Sequence, residues 1–146
     1  MLRLPSRMSN SLDCLTIAVS STDLQRLSPL VLAHIGDAVF ELSMRTLSML
    51  PPQRLQTYHQ QVVQRVRAET QSLYLAWLQP QLTDAEREIV RRGRNAAPRG
   101  PKRVDPAIYQ DATALEALLG YLYLTDTNRL ETLLLRLRDY IQTSEV

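Results

Sequence analysis

One cysteine, two histidines, one lysine, one phenylalanine, one tryptophan and four glycines are spread over 146 residues. Cys14 has no second thiol to pair with, so no intrachain disulfide can form. With only His34 and His59 as further soft ligands, the usual structural zinc sites are excluded. A metal held by this chain would have to be a hard cation on oxygen ligands. No apolar run reaches the roughly 18 residues that suggest a membrane span. The opening MLRLPSRMSNSL is basic and serine-containing but lacks the apolar centre of a secretory signal. The expectation is a cytoplasmic protein with no membrane partner.

What is present is ordinary in bulk and uneven in detail. A content of 45% hydrophobic and 22% charged residues suits a soluble globular chain, and the length suits one domain able to bury a core. The net charge is only +2, yet 16 of the 17 basic residues are arginine, Lys102 being the exception. Arginine carries a planar fork of donors matched to phosphate; a GC-rich genome produces the same bias.

Helix punctuation divides the chain. Residues 1–27 form a polar leader with an apolar patch at Leu15–Val19, read as an N-terminal arm. Ser28-Pro29 is a cap followed by proline at the first helical position, opening a helix that Pro51-Pro52 stops after about Leu50. Its apolar positions cover much of the circumference, which predicts a central helix. Residues 53–79 predict one or two more helices, ended by Pro80. Thr83-Asp-Ala-Glu86 is a capping box for a helix ending near Gly93, and RNAAPRGPKRV at 94–104 reads as a loop. Asp105-Pro106 opens a long helix to about Leu124, and Asn128 with Glu131 is the expected cap of a last amphipathic one. No period-two alternation appears. The expected fold class is all-α, a helical bundle over 28–142.

Two of the four glycines lie inside predicted helices near a carboxylate, in Ile35-Gly36-Asp37-Ala38 and Glu116-Ala117-Leu118-Leu119-Gly120. Glycine within a helix costs about 1 kcal/mol relative to alanine, but it lets backbones approach closely. Two such helices crossing would bring Asp37 and Glu116 together. Paired carboxylates repel, and one protonates unless a cation lies between them. The plainer alternative is a solvated Asp, a surface Glu, and glycines kept for packing.

These two stretches, Ile35-Gly36-Asp37-Ala38-Val39 and Thr113-Ala-Leu-Glu116-Ala-Leu-Leu-Gly120, resemble the two acidic motifs of the ribonuclease III family. LAHIGDAVFE at 32–41, VRAETQS at 66–72, RRGRNA at 91–96 and TALEALLGYLYL at 113–124 are more narrowly similar to Mini-III. Those proteins have the nuclease domain without an appended double-stranded-RNA-binding domain. Larger members carry a Glu where this chain has Ala33 and an Asp where it has Thr113. Two of their four metal-binding carboxylates therefore carry over, Asp37 and Glu116. The resemblance implies that both are catalytic and hold Mg²⁺, with Mn²⁺ as a substitute. It also implies a homodimer cutting both strands of double-stranded RNA and leaving 5′-phosphate and 3′-hydroxyl ends. The implied substrate is a stem of precursor 23S (large-subunit) ribosomal RNA, with a ribosomal protein or pre-ribosome as helper. Glu41, one turn beyond Asp37, is either a further carboxylate of the site or, more simply, the partner of Arg45. His34, one turn before Asp37, either approaches the scissile phosphate or satisfies a nearby acceptor.

Between the motifs, Arg87 to Arg103 holds seven of the 17 basic residues and one acid, Glu88. Such a stretch suits contact with an RNA backbone, and a solvated loop is the alternative from charge alone. The residues assigned to RNA binding are Arg91, Arg92, Arg94, Asn95, Lys102 and Arg103, with glutamines of 60–71 as further candidates for the minor groove. Two rival functions are a catalytically silent RNA-binding protein of the same fold and a helical interaction module without nucleic acid.

Overall fold

Cap chemistry starts most of the long helices where the sequence places them. In the computed structural model, which describes residues 15–145, seven α-helices occur in the order α1 (Ser21–Arg26), α2 (Pro29–Ser48), α3 (Leu55–Val66), α4 (Ala68–Leu78), α5 (Asp84–Ala96), α6 (Pro106–Thr125) and α7 (Thr127–Ser144). A short 3₁₀ turn, Gln79–Gln81, joins α4 to α5, and no strand occurs among the described residues. Ser28 Oγ accepts the Val31 N–H at 3.3 Å to open α2. Thr83 and Glu86 form both bonds of the capping box at 3.2 and 2.9 Å. Asp105 Oδ1 accepts the Ala107 N–H at 2.8 Å to open α6. Each cap satisfies an N–H that the helix cannot pair internally.

Four expectations need correction. The cap of α7 is Asp126, which accepts the Arg129 N–H at 3.0 Å, so Asn128 already lies inside the helix. α5 does not end near Gly93 but runs on to Ala96, which puts Arg94 and Asn95 on a helix rather than in a loop. The reason is tertiary: a Cβ at Gly93 would lie 3.0 Å from both Ala114 Cα and Ala117 Cβ of α6, so glycine is there to let α5 seat on α6. α2 stops at Ser48, before Leu50. Finally, α6 and not α2 is the central helix. It packs against α2, α4, α5 and α7, and Ala114, Leu115, Ala117 and Leu118 are wholly buried. α2 instead leaves Leu30, Val31 and Leu42 exposed.

The main core joins Phe40 and Met44 of α2, Leu75 and Leu78 of α4, the α6 residues, and Leu133, Leu137 and Ile141 of α7. A smaller cluster of Leu32, Ala33, Ile89 and Ala117 receives Leu24 and Leu27 from the leader. The part of the expected arm at 1–14 lies outside the described residues. Two buried charges tie remote segments together. Glu86, 4% exposed, takes the Arg129 guanidinium at 2.9 and 3.0 Å. Arg65, 6% exposed, donates to Ser48 Oγ at 2.7 Å and to Glu145 at 2.6 and 3.3 Å.

Candidate active site

The α2–α6 crossing is a backbone-to-backbone contact. A Cβ built on Gly36 would fall 1.6 Å from the Glu116 carbonyl oxygen, and one on Gly120 would fall 1.9 Å from that of Leu32. No side chain fits at either position. Asp37 follows Gly36 directly, and Glu116 is the residue whose carbonyl Gly36 faces, so the crossing brings the two residues near enough for the charge of Asp37 to act on Glu116.

Their electrostatics carry the mark of that proximity. Glu116 is half-buried, and its pKa is pushed up from 4.5 to about 7, first by burial and then by the charges of Asp37 and Glu41, with Gln71 pulling it back. Asp37 is raised as well, by partial desolvation and by Glu41, against an opposing attraction to His34. Three carboxylates thus strain against one another. Among the described residues, no three His, Cys, Asp or Glu side chains converge into a preformed metal cage. The donor set is therefore one of few, oxygen-only, mutually repelling ligands. That fits Mg²⁺, which takes one or two carboxylates and fills its other positions with water and phosphate. Ala33, 5% exposed, and Thr113, 7% exposed with its Oγ1 donating to the Tyr109 carbonyl at 3.0 Å, are packing residues and supply no ligand.

The surrounding candidates fall into place unevenly. Glu41 forms the 3.0 Å ion pair with Arg45 while still acting electrostatically on Asp37 and Glu116. His34 is exposed and lines a groove on α2. Arg91 is exposed and pairs with Glu88 at 2.5 Å, and Arg92 is half-buried. Arg94 is tied to Asp111 of α6 at 2.5 Å, and Ser72 Oγ donates to the other oxygen of Asp111 at 2.7 Å. Asn95, Lys102 and Arg103 are exposed, and Glu69 near the start of α4 is held below its ordinary value chiefly by its bond from Arg67, with Arg103 adding a smaller pull. Gln60 and Gln64 are exposed, but Gln71 is 4% exposed and is corrected from a minor-groove candidate to a buried residue. Its signal was legible: a polar residue on the apolar face shared by Tyr74, Leu75 and Leu78. Asp111, which no sequence motif singled out, carried no comparable sign.

A groove of about 850 Å³ runs along the outer side of α2 against α7, lined by Ile35, Val39, Leu42, Leu130, Leu134 and Leu135 among others. Neither Asp37 nor Glu116 lines it.

Residues 30–127 match the ribonuclease III domain family. The Mini-ribonuclease 3 of a Synechocystis species is 56% identical over 110 residues, 75% of this chain and 77% of the relative. That of Thermosynechococcus vestitus is 52% identical over 118 residues, 81% and 78% of the two chains. The crystal structure of a protein from Fusobacterium nucleatum superposes with a TM-score of 0.76 at 28% identity, over 85% of this chain and 98% of that one. With a glycine-to-glycine helix crossing that brings Asp37 near Glu116, and with relatives of this similarity, the chain belongs to the ribonuclease III family, in its Mini-ribonuclease 3 branch.

Proposed function

We propose that this chain is an Mg²⁺-dependent endoribonuclease that hydrolyses phosphodiester bonds in double-stranded RNA. The observation that carries the reading is the crossing of α2 and α6, which brings Asp37 and Glu116 near one another with their charges unresolved. Asp37 and Glu116 would hold the ion. When bound, Mg²⁺ supplies charge neutralisation at the phosphate and a water of lowered pKa, and Mn²⁺ suits the same oxygen ligands. The chain's own part is to bind and orient. Glu116 comes from the buried side of the crossing and Asp37 from the exposed side, so the site opens to a surface that a duplex can reach. Arg91, Arg92, Lys102 and Arg103, with Asn95, offer donors for phosphates and 2′-hydroxyls, the groups by which duplex RNA is chiefly recognised. Arg94, still exposed while it pairs with Asp111 of α6, adds a further guanidinium to the same stretch. Neither carboxylate is a covalent nucleophile, and the products carry 5′-phosphate and 3′-hydroxyl ends.

The apolar groove between α2 and α7 is the face on which a second copy seats, giving a homodimer with one site for each strand. A stem of precursor 23S ribosomal RNA in the cytoplasm, met with a ribosomal protein or the pre-ribosome, is the substrate that this family membership favours.

Cleavage of end-labelled duplex RNA with and without Mg²⁺ tests the reading. Asp37→Asn is expected to lower the rate at least about 100-fold while leaving duplex binding within a few-fold, since it removes an ion ligand and no phosphate donor. Equal rates in the two proteins would discard the site, and binding without Mg²⁺-dependent cleavage would favour the silent RNA-binding alternative.

A further inference from the structure

The segment joining α5 to α6 holds two prolines and a glycine over residues 97–105, yet it is fastened along its length. At its start, Gly93 seats α5 on α6 and Arg94 pairs with Asp111 at 2.5 Å. At its end, Val104 is 8% exposed and Asp105 caps α6. In the middle, Gly100 has φ +78°, a left-handed conformation that residues with a side chain seldom adopt. A Cβ there would fall 2.5 to 3.0 Å from three atoms of the Tyr109 ring, so the Gly100 backbone lies against that ring. The Val104 N–H then donates to the Pro101 carbonyl at 3.1 Å, closing a β-turn whose two central residues are Lys102 and Arg103, both exposed. Tyr109 stands seven residues before Glu116, which is two turns, or about 10 Å, along the same face of α6. A loop whose charge served solubility alone would need none of these restraints.

We propose that Tyr109 is a positioning residue for duplex RNA: its ring seats Gly100 and so holds the Pro101–Val104 turn ready-made, with Lys102 and Arg103 as a two-cation clamp on the phosphates. The inference rests on the RNA reading above. Duplex RNA is met mainly through its phosphates and 2′-hydroxyls, so cations held at a fixed place serve it whatever its sequence. A turn already in place before RNA arrives also spares the cost of ordering it on binding. Tyr109 touches neither RNA nor ion; it acts through the turn.

The test measures binding of the full chain to a synthetic RNA duplex, without divalent metal and over a range of salt. Tyr109→Leu removes the ring and is expected to bind about tenfold more weakly, whereas Tyr109→Phe keeps it and should bind as wild type does. Lys102→Ala with Arg103→Ala should lower the salt slope by about 2, one for each lost phosphate contact. In the chain lacking both cations, Tyr109→Leu should add less than about twofold, since it acts through them. Gly100→Ala, which leaves the ring and pushes the turn off it, should repeat the pattern and serves where Tyr109→Leu melts early. With Mg²⁺ added, KM for the duplex should rise in Tyr109→Leu while kcat stays close to wild type. Affinity unchanged in both Tyr109→Leu and Gly100→Ala would overturn the proposal, as would a loss equally large with and without the two cations. Wild type that binds no duplex would overturn it together with the RNA reading. Wild type that binds duplex but does not cleave it with Mg²⁺ would discard the nuclease reading and leave the clamp to stand on the binding data.

Discussion

At the scale of single residues, Glu116 shows what the site costs when no ion is present. Its carboxyl titrates near 7 in the folded chain against 4.5 ordinarily. Between those two values the folded state keeps a proton that the unfolded state has lost, so the metal-free protein loses stability as pH rises from about 4.5 to 7. A raised carboxyl is the reverse of Glu86, whose bond to Arg129 holds it below its ordinary value and whose contribution fades only on acidification. The Glu116 contribution amounts to about 3 kcal/mol across the window. Thermal melts of Mg²⁺-free protein at pH 5 and pH 8 are therefore expected to show a lower melting temperature at pH 8. Glu116→Gln should flatten that difference and melt higher than wild type at pH 8. Because the ion needs the ionised carboxylate, stabilisation by added Mg²⁺ should grow over the same range in wild type and vanish in the variant. A wild-type pH dependence identical to that of Glu116→Gln would show that Glu116 is not strained by its surroundings.

At the scale of helices, the crossing decides whether those residues meet at all, and it sets two effects of opposite sign against each other. Gly36→Ala should stabilise an isolated helix by about 1 kcal/mol. In this fold the new Cβ would lie 1.6 Å from the Glu116 backbone oxygen, which no side-chain rotation relieves. The helices would have to part, at a cost above the usual 1–3 kcal/mol of overpacking, so a net loss of at least about 2 kcal/mol is expected together with loss of cleavage. Gly93→Ala meets its neighbours at 3.0 Å and should cost less. Melting curves of the two variants check the order; a Gly36→Ala protein as stable as wild type would refute the crossing. The same comparison explains what the sequence could disclose. Ser28-Pro29, the Thr83–Glu86 box and Asp105-Pro106 were legible because a cap is a contract between residues two or three apart. The crossing of α2 with α6 was legible because Gly36 and Gly120 each stand inside a helix with no local excuse for a glycine. The extension of α5 through Gly93 was not, since only α6 rewards it. Asp126 and Asn128 are both good caps by local chemistry, and the choice of the first sets the start of α7, from which Arg129 reaches Glu86 across 43 positions of sequence. The pairing of Arg94 with Asp111 was equally out of reach, because only the fold sets α5 against α6.

At the scale of the molecule, the apolar positions of α2 exceed what one domain can cover. Leu32, Phe40, Met44 and Leu47 face α6 and the core, yet exposed Leu42 and half-buried Ile35 and Val39 join Leu130, Leu134 and Leu135 of α7 in lining an open groove. A contiguous apolar channel of about 850 Å³ is unusual on a chain that stays alone in water. A second copy seated there would back each Asp37 helix with its twin, so the two carboxylate sites would stand in fixed relation, as cutting both strands of one duplex requires. Leu42 is the sensitive point, 61% exposed in the single chain and at the centre of the α2 face. In the proposed dimer, Leu42→Glu would bring two carboxylates to a symmetric apolar contact and should weaken association at least about 30-fold, the effect of losing a 2 kcal/mol anchor. Its folding should be unaffected, because the residue has no place in the core, and Mn²⁺ binding by the monomer should persist. Sedimentation equilibrium reads the association directly. On a duplex labelled on both strands, paired cuts should give way to slow, single-strand nicks whose rate recovers as protein concentration is raised towards the new dissociation constant. A variant that sediments as wild type and still cuts both strands together would move the dimer contact to another face of the molecule, and the surplus of leucines on α2 would then need a different partner.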